Sequence, residues 1–308
     1  MLKNYIKIAF RNLIGNKAYS LINTIGLSVG IASCLLIFLF VQDELSYDRY
    51  HENSDRIYRV YWYASDGERT EERLMTSALL APSLEEEVPG IQAAIRLYSF
   101  GNVMVEKGSI KFYEEKFYTA DPSFFEMFSL RLLQGNPETA LSRPFTVILT
   151  EEMALKYFGE ANPIGQTLMI SGSWGPDEYE VTGVMENTPH NSHFTMNFLT
   201  SHETRILKDP SDLESWSQLS GYTYAMLYPG VNGEDLSDDL REIYARHRRT
   251  MEGVTMEYRL QPITDIHLYS SFEREIEPGG NVGYLYIFGS IALLILGIAG
   301  VKLLAGIS

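Results

Sequence analysis

The chain is nearly without cysteine: one residue, Cys34, among 308. That thiol lies inside a long apolar run, so the rest of the chain cannot close a disulfide and must hold itself by its core. Acids are missing from both ends, with none before Asp43 and none after Glu277. Charge of either sign is missing from Ala18 to Gln42 and from Asn281 to Val301. There is no G-x-x-x-x-G-K-[ST] and no G-x-G-x-x-G, so the chain lacks a nucleotide-phosphate cradle. The one G-x-S-x-G, Gly26 to Gly30, lies inside a long apolar run and not at a strand-to-helix turn, so it frames no nucleophile. No sustained repeat or low-complexity tract occurs.

What is present begins with those two charge-free runs. The apolar heart of the first, Leu21 to Val41, is long enough at ~1.5 Å per residue to cross a ~30 Å hydrocarbon layer. It is too long for an ordinary signal-peptide core, and Phe38–Gln42 offers no small-x-small cleavage pattern, so it reads as a retained anchor. Residues 18–42 and 282–301 are therefore expected as transmembrane helices holding one large loop, 43–281. Lys3, Lys7, Arg11 and Lys17 precede the first span; Asp43, Glu44 and Asp48 follow it. The positive-inside rule puts both termini in the cytoplasm and the loop outside. Residues 1–17 read as an amphipathic helix whose four cations sit at the cytoplasmic membrane interface. Gly26 and Gly30 form a G-x-x-x-G, a candidate close contact between helices. Tyr47, Tyr50, Tyr284 and Tyr286 suit an outer aromatic belt. The loop holds all 40 acids and 20 of the 25 bases, a charge of about −20. So acidic a loop argues against nucleic acid as a partner.

Within the loop, patterning predicts strands at about 56–63, 93–98, 102–106, 110–119, 146–149, 167–171, 178–186, 222–228, 254–261 and 263–268. Helices are expected over 76–88 and 234–248. Another follows Asp121-Pro122, with Asp121 as N-cap, and another follows Thr150, with Gly159 as its stop. The alternation implies an α+β layer with helices on one side. Residues 190–220 break the pattern and are expected to form an insertion or small subdomain. His190 and His193, three apart, have a spacing that could serve a metal, although Pro189 and Asn191-Ser192 favour a loop. Glu85-Glu86-Glu87 reads as a solvated helix end or a cation patch, and Arg246-His247-Arg248-Arg249 as a basic helix end or a partner contact. No cofactor is expected.

Several motifs then fall into one order. They are Leu2-Lys-Asn-Tyr-Ile-Lys-Ile-Ala-Phe-Arg-Asn-Leu, Asp43-Glu-Leu-Ser-Tyr-Asp-Arg-Tyr-His-Glu-Asn-Ser-Asp-Arg-Ile-Tyr-Arg-Val and Ala120-Asp-Pro-Ser-Phe-Phe-Glu-Met-Phe. Val147-Ile-Leu-Thr-Glu-Glu-Met-Ala-Leu-Lys-Tyr-Phe-Gly, Asn162-Pro-Ile-Gly-Gln, Val181-Thr-Gly-Val, Asn191-Ser-His-Phe and Ile263-Thr-Asp-Ile-His-Leu follow. Together they resemble ABC-transporter permeases of the MacB/FtsX type, in the form common in Bacteroidetes. The resemblance implies a mixed α/β periplasmic domain with a Porter-like part and an inserted Sabre-like part, flanked by the two transmembrane helices. It implies an inner-membrane, multi-pass protein without catalysis of its own. Its expected partners are a cytoplasmic ABC ATPase, a second permease as homo- or heterodimer, the lipid bilayer, and an envelope protein or exported substrate. Relatives continue past the second span, so residues 302–308 are expected to be a truncated cytoplasmic end and the chain a fragment. The alternative is a two-span sensor with a ligand-binding domain; it would want an output module after the second span, and residues 302–308 hold none.

Overall fold

The computed structural model describes residues 17–305. Lys3, Lys7 and Arg11 lie outside the described residues, and Lys17 opens the first helix. The helices are α1 (Lys17–Glu44), α2 (Leu80–Glu87), α3 (Phe124–Met127), α4 (Glu151–Phe158), α5 (His202–Lys208), α6 (Ser237–His247), α7 (Ile263–Tyr269) and α8 (Val282–Ala305). The strands are β1 (Ile57–Ser65), β2 (Thr70–Arg73), β3 (Ile91–Ser99), β4 (Val103–Lys107), β5 (Ile110–Glu114), β6 (Phe117–Ala120), β7 (Leu132–Gly135), β8 (Thr146–Thr150), β9 (Thr167–Gly172), β10 (Gly175–Met185), β11 (Phe198–Ser201), β12 (Tyr222–Leu227) and β13 (Thr255–Pro262). Two units result: a helical one drawn from both ends of the chain, and a sheet domain, Tyr47–Gly279.

In the helical unit, α1 and α8 are both long and apolar enough to cross a membrane. Their Leu, Ile and Phe side chains are exposed along the helices, as a lipid-facing surface requires. The two helices pack on each other. Phe40 meets Phe288 edge to face at 5.5 Å, and the Cys34 thiol donates to the Ala292 carbonyl at 3.4 Å.

The sheet domain is one mixed sheet in the order β13-β1-β12-β3-β6-β11-β8-β10-β9-β4-β5, with β2 beside β1 and β7 beside β10. Only the β8–β10 and β6–β11 pairs are parallel among the described residues. Period-2 alternation divides the side chains between two faces. Ile95, Tyr118, Ile148, Leu199 and Tyr224 lie in one continuous core with the rings of Phe124, Phe128 and Phe194. The opposite face is split: Val60, Ala94 and Ala225 pack with residues of α2 and α6, and Val105, Val147 and Phe198 with residues of α4.

Several expectations are corrected. Residues 190–220 are not an insertion, because β11 within them is fully buried between β6 and β8. The segment that stands apart from the flanking strands is the one between β3 and β12, whose strands build the β6-to-β5 half of the sheet. Residues 263–268 form α7, not a strand: Ile263, Ile266 and His267 recur at helical spacing and are buried together. Residues 110–119 break into β5 and β6 at Lys116, which takes a φ of 60°. Asp121 is not an N-cap; its carboxylate accepts from the Arg96 backbone and guanidinium instead. Helices lie on both faces, since α3 and α7 contribute to the continuous core. Thr150 does cap α4, accepting from Met153 N, and Gly159 ends it at a φ of 59°.

Candidate functional site

The chain enters the sheet domain at Tyr47, three residues beyond α1, and leaves it at Gly279, three residues before α8. Each junction is fastened by a different device.

At the first junction Asp48 adopts a φ of 59°, a left-handed conformation that Asp tolerates better than most side chains. This turns its carboxylate into the protein. Oδ1 accepts from the His193 backbone N–H at 3.1 Å and from the His193 ring Nδ1 at 2.8 Å. His193 Nε2 then accepts from the Tyr224 hydroxyl at 2.8 Å. Asp48 and Tyr224 are fully buried and His193 nearly so. Burial pushes the Tyr224 phenol well above its ordinary pKa, so it keeps its proton and donates. Tyr50 donates to Ser192 at 3.0 Å, and the Asp48 N–H donates to the Asn191 carbonyl at 2.9 Å. Residues 48–50 are thereby bound to the loop 191–193 that feeds β11. Tyr50 packs against the core, which corrects its reading as part of an aromatic belt. Both His193 ring nitrogens are engaged, which leaves that ring no atom for the metal that its spacing from His190 could have served.

At the second junction a strap, residues 270–279, runs back across β1 and β12. Arg59 of β1 points from the sheet into this strap. Its side chain is 0 % exposed and forks onto Glu275 at 2.6 and 3.0 Å. Gln261 and Ser270 accept at 2.7 and 2.9 Å, and the Phe272 ring lies 5.6 Å from the guanidinium carbon. A planar guanidinium suits this bidentate contact in a way an ammonium does not. Tyr222 donates to the Arg274 carbonyl at 2.8 Å, and Thr195 donates to Glu277.

The two junctions meet. Tyr47 stacks on His267 of α7, with ring centroids 3.3 Å apart and planes 5° from parallel. A cavity of about 120 Å³ has Tyr47, His190, Ser192, His267, Glu277 and Gly279 among its walls. Both ends of the sheet domain thus border one space.

The other sequence candidates fall elsewhere. Gly30 faces α8, where an added Cβ would sit 3.2 Å from Ile295 Cγ2; around Gly26 nothing lies within 4 Å. Tyr284 and Tyr286 are exposed. The Glu85–Glu87 and Arg246–Arg249 segments meet each other: Arg246 and His247 both pair with Glu87, and Glu85 accepts from the Ala94 N–H at 2.6 Å. His247 also stacks on Trp216 at 4.2 Å. Glu85, Glu86, Arg246 and Arg249 remain exposed, so the segments are solvated helix ends joined through Glu87. Sequence reasoning missed Arg59, although a lone Arg inside the aromatic strand Ile57–Ser65 is a signal that something buried must answer it.

A sheet domain between two helices long and apolar enough to span a membrane, with both of its own ends bordering one cavity, defines a membrane-anchored module. The family described as MacB-like periplasmic core domain matches residues 20–243, and the chain belongs to it. It is an ABC-transporter-type permease family, and membership places the sheet domain in the periplasm beyond the inner membrane. Among solved structures, the chain is similar to a domain assigned to a permease protein from Porphyromonas gingivalis. That match has 27 % identity and a TM-score of 0.58, and covers 69 % of this chain and 92 % of that one. It also matches the periplasmic region of MacB from Actinobacillus actinomycetemcomitans, at 17 % identity and a TM-score of 0.48, over 68 % of this chain and 90 % of that one. A third match is the extracellular domain of the noncanonic ABC-type transporter YknZ from Gram-positive bacteria, at 13 % identity and a TM-score of 0.44, over 67 % and 99 %. No curated protein matches the chain.

Proposed function

We propose that this chain is the permease subunit that passes work from a separate cytoplasmic ABC ATPase to its periplasmic sheet domain. The observation that carries this reading is the convergence of Tyr47 and Gly279 on one cavity, beneath two buried polar fasteners. A movement of either span reaches the sheet domain within three residues of the helix end. The load then enters a stiff sheet rather than a flexible loop. The chain works as a homo- or heterodimer with another permease, and its target is an exported substrate or an envelope protein. Lys3, Lys7, Arg11 and Lys17 hold the cytoplasmic interface, both termini are cytoplasmic, and Gly30 is the point of close helix approach.

The test uses the full chain in nanodiscs together with ABC ATPases taken from the same genome. A thiol introduced as Glu273→Cys, on the exposed side of the strap, is labelled with a maleimide in a Cys34→Ala background. The labelling rate should change during ATP turnover, and the chain alone should hydrolyse no ATP. An unchanged rate during turnover, or ATPase activity from the chain alone, would overturn the reading.

A further inference from the structure

The first junction holds a second fastener that the coupling scheme does not use. His51 is 2 % exposed and packs against Tyr50, Phe128 and Phe194, with ring centroids 4.0, 5.1 and 6.4 Å away. Its Nδ1 accepts the backbone N–H of Ser129 at 3.1 Å. A backbone amide only donates, so Nδ1 is bare and the ring proton sits on Nε2. Ser129 answers in the other direction, because its hydroxyl oxygen accepts the Glu52 N–H at 2.8 Å. Two bonds therefore clip residues 51–52 to the turn after α3.

We propose that the His51–Ser129 clip is a proton-released fastener of the first junction. A second proton on the imidazole goes to Nδ1, which then points N–H against N–H. The ring cannot stay, and the clip opens.

The surroundings favour the neutral ring. Burial holds the His51 imidazole down to about 4, and a proton on the nearby His193 ring would press the same way. The Asp48 carboxylate, on the same turn, opposes them. The Tyr50 phenol keeps its proton, its pKa raised by burial. The turn after α3 contributes Phe128 and Ser129, neither of which is charged. In the open state the ring returns to its ordinary value of 6.5. The closed state is the one that binds the proton poorly, so the clip is at full strength above pH 6.5. It weakens as the pH falls toward 4. From pH 7 to pH 5 the open fraction should rise roughly twentyfold. Its relevance to coupling rests on the proposed function; the clip itself needs neither nucleotide nor ATPase.

The test is hydrogen exchange of the full chain in nanodiscs at pH 7 and pH 5, with rates corrected for intrinsic exchange. Protection of the Ser129 amide should fall roughly twentyfold in the wild-type chain. In His51→Gln, whose side-chain oxygen accepts the same N–H but takes no proton, the fall should vanish. Equal falls in both chains would assign the effect to other groups and overturn the proposal. If His51→Gln fails to fold, the ring nitrogens of wild-type His51 are titrated by NMR. Protonation near pH 6.5 with Ser129 still protected would overturn it equally.

Discussion

The two junctions of the sheet domain do the same job with opposite chemistry. The first is made of groups that water does not reach: Asp48, His193 and Tyr224 are 0 to 4 % exposed, and aromatic rings surround them. The second is a graded ionic strap. Arg59 is buried, Glu275 is 15 % exposed, and Glu277 at the far end is 30 % exposed beside Lys116 at 42 %. A buried polar network is costly to break because its remaining members cannot turn to solvent. An exposed pair breaks at little cost because water replaces the partner. The difference makes the first junction the fixed end and the second, loosening toward Gly279, the end able to yield.

The largest effect should come from breaking the fixed end. Asp48→Ala removes the acceptor of both His193 donors and leaves them in an apolar interior; it also puts a β-carbon residue without a polar side chain at positive φ. The expected loss is about 3 kcal/mol, read by thermal unfolding as a fall of roughly 10 °C. A fall of one or two degrees would remove the distinction between the junctions. A middle effect is expected for Arg59→Met, which keeps a long apolar stem but leaves Glu275 without its counter-charge. Because Glu275 is partly exposed and the strap can shift, the loss should be about 2 kcal/mol. Amide exchange should rise across residues 270–279 and stay unchanged in residues 48–51. If both segments loosened together, the junctions would be one cooperative unit rather than two devices.

The two ends of this comparison were unequally legible in the sequence. The membrane helices could be read because an absence of charge over twenty-odd residues is a local property, visible in a window. The cap at Thr150 is local too. The fasteners are not: Asp48 and His193 stand 145 positions apart, and Arg59 and Glu275 stand 216 apart. Their partnership depends on the order in which strands pair, which local patterning does not contain. Spacing therefore pairs His193 with its neighbour His190, whereas its partners come from the first junction and from β12. β11 escaped notice for a related reason. Phe198-Leu-Thr-Ser is buried on both faces, so it shows no alternation. At Ile263–Leu268 the β-branched residues suggested a strand, yet burial of Ile263, Ile266 and His267 decides for a helix.

The smallest effect should come from the outer end of the strap. Glu277→Gln abolishes the charge that faces Lys116 across 3.7 Å but keeps an acceptor for the Thr195 hydroxyl. Both charged groups are substantially exposed, and ordinary salt screens what remains of their attraction. The variant should lose no more than about 0.5 kcal/mol, and 0.5 M NaCl should erase even that. The same salt should leave the Arg59→Met deficit intact, because the Arg59–Glu275 fork is shielded from ions by the Phe272 ring and the sheet. Salt dependence therefore separates the two halves of the strap where stability alone would only rank them. If Glu277→Gln lowered the melting temperature as far as Arg59→Met, and did so at high salt, the strap would be pinned along its whole length. The yielding end of the domain would then have to be sought at Tyr47 and its stack on His267 instead.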